Sequence, residues 1–209
     1  MKKISLQGIA DFMTASEVKR RTIVNNFKNP KLDEVKAMIK YYREAREAIT
    51  IFHTRGNDID YLKNRAINLH VQALANTGPT RARLKNNARG VRQYFNNFKG
   101  KQFIIKGRLS SEIICDDVRI SITPDLYVEE NGDDKIIKLE FKSIEPSLEY
   151  MKIIAQCLFM STNGRFKPKN CLYIDVPRGN IYIATKATSR LQRNVEAACA
   201  SISDIWDKI

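Results

Sequence analysis

Two carboxylates and a lysine in the second half of the chain have the types and spacing for hydrolytic chemistry. Asp125 and Glu140 are separated by fourteen residues, and Lys142 follows two positions later. The stretch around them, residues 119–143, is patterned as a β-hairpin. Ile120 and Ile122 alternate with polar residues, Leu126, Tyr127 and Val128 continue the run, and Asn131-Gly132-Asp133-Asp134 supplies the reversal. On the return strand a period of two puts Lys138, Glu140 and Lys142 on one face and Ile137, Leu139 and Phe141 on the other. A loop at residues 131–134 sets Glu130 opposite Lys135 and Asp125 opposite Glu140. Directly opposed Cβ atoms lie roughly 4.5–5.5 Å apart, and a tighter two-residue turn moves the pair to a diagonal of about 7–8 Å. Carboxylates held that close repel each other unless a cation sits between them. The arrangement suits a divalent metal bound through oxygen ligands, with Lys142 pointing into the same space. The competing reading is a surface hairpin with an exposed Glu-Lys ladder.

Pro124-Asp125 followed by Glu140-Phe141-Lys142 resembles the PD-(D/E)XK motif of the restriction-endonuclease-like nuclease superfamily. The resemblance implies that Asp125 and Glu140 hold Mg²⁺ or Mn²⁺, that the Phe141 carbonyl is a further ligand, and that Lys142 positions or activates the attacking water. In the exonuclease-like branch of that superfamily a glutamine on the following helix lies beside the site, usually with a tyrosine four residues later. Gln156 matches the glutamine, but position 160 is Met, so a site role and an ordinary helix-surface role both remain open for Gln156. Many members add an acid from the first core helix. Residues 81–99 contain none, which leaves Glu112, Asp58 or Asp60 to substitute, or a site running on two carboxylates and water.

The composition fits a folded chain with a nucleic-acid partner. It has 209 residues, 43% of them hydrophobic, and a formal charge of +13. Residues 1–110 carry 23 Lys and Arg against 8 Asp and Glu, whereas residues 111–209 carry 13 against 15. The basic half and the acid-bearing half have different jobs. Cysteines 115, 157, 171 and 199 show no metal-binding spacing and read as buried thiols in a reducing compartment. Gln7 and Asp11 interrupt the apolar stretch a signal peptide would need, and no segment approaches the length of a membrane span. These features point to the cytoplasm and to no membrane; the resemblance implies DNA rather than RNA as the favoured partner, and a homodimer is left open.

The elements that must position these residues follow from periodicity. Ser16 is placed to cap a helix in which Lys19, Arg20 and Arg21 make a basic cluster, either a phosphate contact or a solvated face. Apolar residues at threes and fours predict a helix across residues 32–53, and Asn57 or Asp58 caps another carrying Leu62, Ala66, Leu69 and Ala73. His53 and His70 on these helices read as core or surface histidines. Thr80 then caps a helix in which Leu84, Ala88, Val91, Phe95 and Phe98 face inward. Lys85, Arg89 and Arg92 follow beside them, with Arg81, Arg83 and Lys99 adding to the charge. Such a helix is self-repelling unless something anionic lies along it, which favours a nucleic-acid backbone over plain solvent. Strands around residues 102–106 and 112–115 precede the hairpin. A helix capped by Ser147, strands at 172–176 and 181–185, and a closing helix complete the chain. The expected fold is α/β, with a basic helical N-terminal part (residues 1–79) and a restriction-endonuclease-like core (residues 80–209) whose mixed central sheet is flanked by helices. The expected function is a metal-dependent nuclease, the alternative a nucleic-acid-binding protein on the same fold that does not cut.

Overall fold

The alternation at residues 136–141 belongs to the middle strand of a five-stranded sheet that is buried on both faces. The computed structural model describes residues 1–31, 41–185 and 189–209. In chain order the first half contains β1 (Lys2–Ser5), α1 (Leu6–Thr14), α2 (Glu17–Lys28), α3 (Arg43–Thr54), α4 (Ile59–Leu74) and α5 (Gly78–Phe98). Strands β2 (Ile104–Gly107), β3 (Ser111–Cys115), β4 (Val118–Ile122), β5 (Leu126–Glu130) and β6 (Asp133–Glu140) follow. The chain closes with α6 (Leu148–Met160), β7 (Cys171–Asp175), β8 (Asn180–Ile183) and α7 (Ser189–Lys208). The fold is mixed α/β, with two mixed sheets. The larger has strand order β2-β5-β6-β7-β8, antiparallel throughout except for the parallel β6–β7 pair. The smaller has order β1-β4-β3, with β1 parallel to β4.

Two cores lie on opposite faces of the larger sheet. Ile137, Leu139 and Phe141 pack with Leu172 and Ile174 against α3, α4 and α5. Ile136 and Tyr173 face the other way, toward α1, α6, α7 and the smaller sheet. Both cores combine elements from either side of the expected 79/80 boundary: β1 pairs with β4, and α3 and α4 pack on α5. The start of the chain is also tied to its end, since Lys2 Nζ lies 2.7 Å from Asp117 and 2.8 Å from Asp207 on α7. No described helix is long and apolar enough to cross a membrane.

The hairpin differs from expectation in two ways. Its loop is Asn131-Gly132 alone, both residues at positive φ (55° and 77°), the turn whose twist matches the flanking strands. Asp133 and Asp134 are therefore strand residues, and Leu126 pairs with Ile137. The first arm is also shorter than the sequence suggested, because β4 belongs to the smaller sheet and the chain changes sheets at Thr123-Pro124-Asp125.

Among the helices, the expected 32–53 element is described only from α3 onward; Leu32, Val35 and Ile39 lie outside the described residues. Asp58 is the cap of α4, accepting from the Tyr61 amide at 2.9 Å. Helix α5 begins at Gly78 rather than after Thr80, since a proline in the first turn lacks only an N–H that would go unpaired anyway. Gly90 brings α5 against the motif strand: a Cβ there would stand 2.9 Å from the Phe141 ring. His53 is buried, its ring bonded to Asn57 and, at 2.7 Å, to the Tyr94 hydroxyl. All four cysteines are free thiols; three are buried and Cys115 is half-buried.

Candidate active site

Asp125 sits where the chain leaves the smaller sheet to start β5. Its amide donates to the Ile137 carbonyl at 2.8 Å, continuing the ladder by one bond. Strand β5 begins only at Leu126, so the Leu139 N–H has no strand partner on that side; Asp125 Oδ2 accepts it at 2.8 Å. The same oxygen lies 3.2 Å from Lys138 Nζ. Oδ1 lies 2.8 Å from Arg46 Nε on α3, an ion-pair contact without hydrogen-bond alignment. The carboxylate is almost enclosed by two cations and a backbone amide.

Glu140 ends β6, diagonal to Asp125 rather than opposite it. The two-residue turn puts Lys138 in the facing position, which corrects the direct Asp125–Glu140 pairing expected for a four-residue loop. Glu140 Oε1 accepts from the backbone amides of Phe141 (2.9 Å) and Lys142 (3.0 Å), and Oε2 accepts from the Tyr173 hydroxyl at 3.3 Å. The face carrying Lys138 and Glu140 is buried, not a solvated ladder: they are only 8% and 9% exposed. The Phe141 ring stacks on Tyr42, with centroids 5.1 Å apart, and its carbonyl lies just past the end of β6. Lys142 is exposed beside them.

Sequence reasoning missed two further acids, one paired with Glu140 and one linked to it through charge. Asp175 pairs with it in the β6–β7 register and is 1% exposed. Burial raises its pKa first, and the Glu140 charge adds to the rise, while Arg178, 3.0 and 3.1 Å from its two oxygens, opposes it. Arg178 also donates to the Ser143 carbonyl, clamping the β7–β8 turn to the loop after Lys142. The other acid is Asp11, on α1. Its residue surface is exposed, yet its surroundings desolvate the carboxyl enough to raise its pKa; Lys142 pulls the value down and Glu140 pushes it up. Asp11, rather than the suggested substitutes, is the helix acid whose charge is coupled to the motif. Asp58 is used as a helix cap, and Glu112 pairs with Arg119 at 3.2 Å.

The signals for these residues were present but local patterning gave them other uses. Asp11 was the charge interrupting an apolar run. Asp175 ends a strand whose other residues are apolar or aromatic.

The basic residues divide by partner. Arg81, Lys85 and Arg92 on α5 are exposed, and Arg89 is half-buried against Tyr42. The phenol of Tyr42 is raised in pKa chiefly by burial; Arg89, hydrogen-bonded to it, opposes the rise, and the Glu140 charge adds to it. The stripe thus passes close to the carboxylates. Arg83 is paired with Glu44 of α3, so the charge of α5 is partly compensated. In the α2 cluster Lys19 and Arg21 are exposed, but Arg20 donates to the Phe12 carbonyl at 3.2 Å and lies over that ring, tying α2 to the end of α1. Gln156 is 3% exposed, with its amide nitrogen unbonded among the described residues, which excludes the helix-surface reading.

Asp125, Glu140, Asp11 and the Phe141 carbonyl offer hard oxygen donors, the chemistry Mg²⁺ and Mn²⁺ take. Among the described residues no three Asp, Glu, His or Cys side chains form a ready-made metal cluster. No protein-family model matches the chain, and no curated protein matches it.

Proposed function

We propose that this protein is a metal-dependent nuclease that hydrolyses phosphodiester bonds, with DNA the favoured substrate. The observation that supports the reading is the grouping of Asp125, Glu140 and Lys142 at the ends of adjacent strands, with Asp11 coupled to them and an arginine stripe passing alongside. The order helix, strands, hairpin, helix, parallel strand over α5 to β7 is compatible with the restriction-endonuclease-like core. Asp125, Glu140, Asp11 and the Phe141 carbonyl would hold Mg²⁺ or Mn²⁺, which when bound supplies Lewis-acid polarisation of the phosphate and a more acidic water. Lys142 offsets the charge that develops on the phosphate as it is attacked. Arg81, Lys85, Arg89 and Arg92, with Lys19 and Arg21 at a second patch, hold the nucleic-acid backbone. Arg20 has a structural use besides. We place the protein in the cytoplasm, with no membrane partner.

A second reading, a nucleic-acid-binding protein that does not cut, is favoured by one observation: Arg46 and Lys138 already neutralise Asp125. Cleavage assays on plasmid, linear and single-stranded DNA and on RNA, with Mg²⁺, Mn²⁺ or EDTA, decide between them. Cation-dependent cleavage that is lost in Glu140→Gln supports the nuclease. Salt-sensitive binding with no cleavage of any substrate supports the alternative.

A further inference from the structure

On the α1 side of Glu140 lies a hydroxyl that the site as described does not use. Ser147 accepts from the Tyr150 amide at 3.2 Å, fixing the first turn of α6 and directing the Tyr150 ring inward. The residue is 7% exposed. Its ring meets Tyr173 edge-on, with centroids 6.3 Å apart, and Tyr173 in turn donates to Glu140. The Tyr150 hydroxyl oxygen is itself buried, and no protein group among the described residues bonds it. Buried polar groups in folded proteins are almost always bonded, to protein or to ordered water. Helix α1, which carries Asp11, packs on α6, and Tyr173 links the Tyr150 ring to Glu140. Burial raises the phenol pKa most, and the charges of Asp11 and then Glu140 raise it further, so the group is a neutral O–H.

A water suits this place. It accepts from the phenol and donates one proton to each carboxylate, the three bonds that buried waters typically make. We propose that the Tyr150 hydroxyl holds a water shared by Asp11 and Glu140 and thereby fixes both carboxylates in the pose that binds a divalent cation. Tyr150 is then a positioning residue, acting through the acids. This rests on the nuclease reading, because it presumes that Asp11 and Glu140 bind the cation.

Tyr150→Phe removes one oxygen and keeps the ring, which lets stability and cation binding be read separately. Thermal unfolding without cation and Mn²⁺ titration by calorimetry are measured on the full chain, on Tyr150→Phe and on Glu140→Gln. The expected result is an unfolding temperature that is unchanged or higher in Tyr150→Phe, with Mn²⁺ bound about tenfold more weakly, the scale seen when groups supporting metal ligands are removed. Unchanged Mn²⁺ affinity in Tyr150→Phe, while Glu140→Gln loses it, overturns this inference and leaves the nuclease reading standing. A lower unfolding temperature overturns it too, since the hydroxyl would then serve the fold. If the parent chain binds no Mn²⁺, both readings fall.

Discussion

Asp125 faces Lys138 across the hairpin, with 3.2 Å between Oδ2 and Nζ, and Glu140 lies one strand repeat beyond. The two motif acids therefore differ in what they do for the fold. Asp125 neutralises Lys138 and Arg46, so Asp125→Asn leaves a buried ammonium uncompensated while its amide oxygen still serves the Leu139 N–H. Removing one partner of a buried pair costs roughly 3–5 kcal/mol; with Arg46 partly in solvent, we expect about 3 kcal/mol by urea unfolding. Glu140 instead stands among Asp11 and Asp175, so Glu140→Gln relieves repulsion and leaves stability unchanged or higher. Both variants, and Lys142→Ala, are expected to lose cation-dependent cleavage. Equal stability losses in the two acid variants would contradict the observed register.

Helix α5 supplies a test of binding separate from cutting. Lys85, Arg89 and Arg92 changed together to Gln keep helix propensity and remove three charges. Affinity for DNA is expected to fall, and the slope of log affinity against log salt to flatten by up to ~0.9 per lost duplex contact, or ~0.7 on a single strand. The loss should be similar across sequences, because phosphate contacts carry no sequence information directly. Fluorescence anisotropy over a salt series reads both quantities. An unchanged slope moves the grip to Lys19 and Arg21.

Asp11 has a pH signature. Its folded-state pKa is raised by desolvation and by Glu140, against the pull of Lys142. Between the ordinary carboxyl range and the raised value the folded chain binds the extra proton, so this residue favours folding at low pH and its contribution is lost as pH rises. Asp11→Asn is therefore expected to raise the unfolding temperature at neutral pH without cation, with the gain vanishing in acid, and to lose cleavage. A variant less stable than the parent at pH 7 would show that the carboxylate is needed by the fold.

The sign is opposite for the polar contribution of His53, whose pKa is lowered to about 4 by burial, with the Asn57 bond opposing. The unfolded chain takes up the proton first as pH falls below 6.5, so stability drops between there and about pH 4. At ~1.4 kcal/mol per pKa unit the full loss is about 3–4 kcal/mol. Urea unfolding of the parent and of His53→Gln at pH 7 and pH 4 checks it; parallel losses would rule His53 out as the cause.

Much of the hairpin was legible because period two is a local property. Ile137, Leu139 and Phe141 do share a face, and Asn131-Gly132 does turn the chain. What the sequence pattern hid was burial of the opposite face, because the elements that enclose Lys138 and Glu140 come from distant positions. Parallel pairing of β1 with β4 leaves no local mark, so α1 read as part of a basic arm rather than as a source of Asp11. The α5 stripe was visible as a rhythm, but Glu44 on another helix takes Arg83 out of it. The start of α5 lies ahead of the expected Thr80 cap because Pro79 occupies its first turn. Gln156 was ambiguous because one helix repeat cannot say which face another element covers.

The pairing of β1 with β4 also sets an order of assembly. As the chain emerges from the ribosome, Lys2 to Ser5 have no partner until β4 follows, and α1 has no α6 to rest on until later still. Contacts so far apart in sequence form slowly, and domains assemble only as their parts become available. The basic helices are thus synthesised ahead of Asp125, Glu140 and Asp175. Asp11, the first of the site carboxylates to be made, waits for 129 further residues before it meets Glu140, so a product terminated before then would carry the positive charge without the means to assemble the acids.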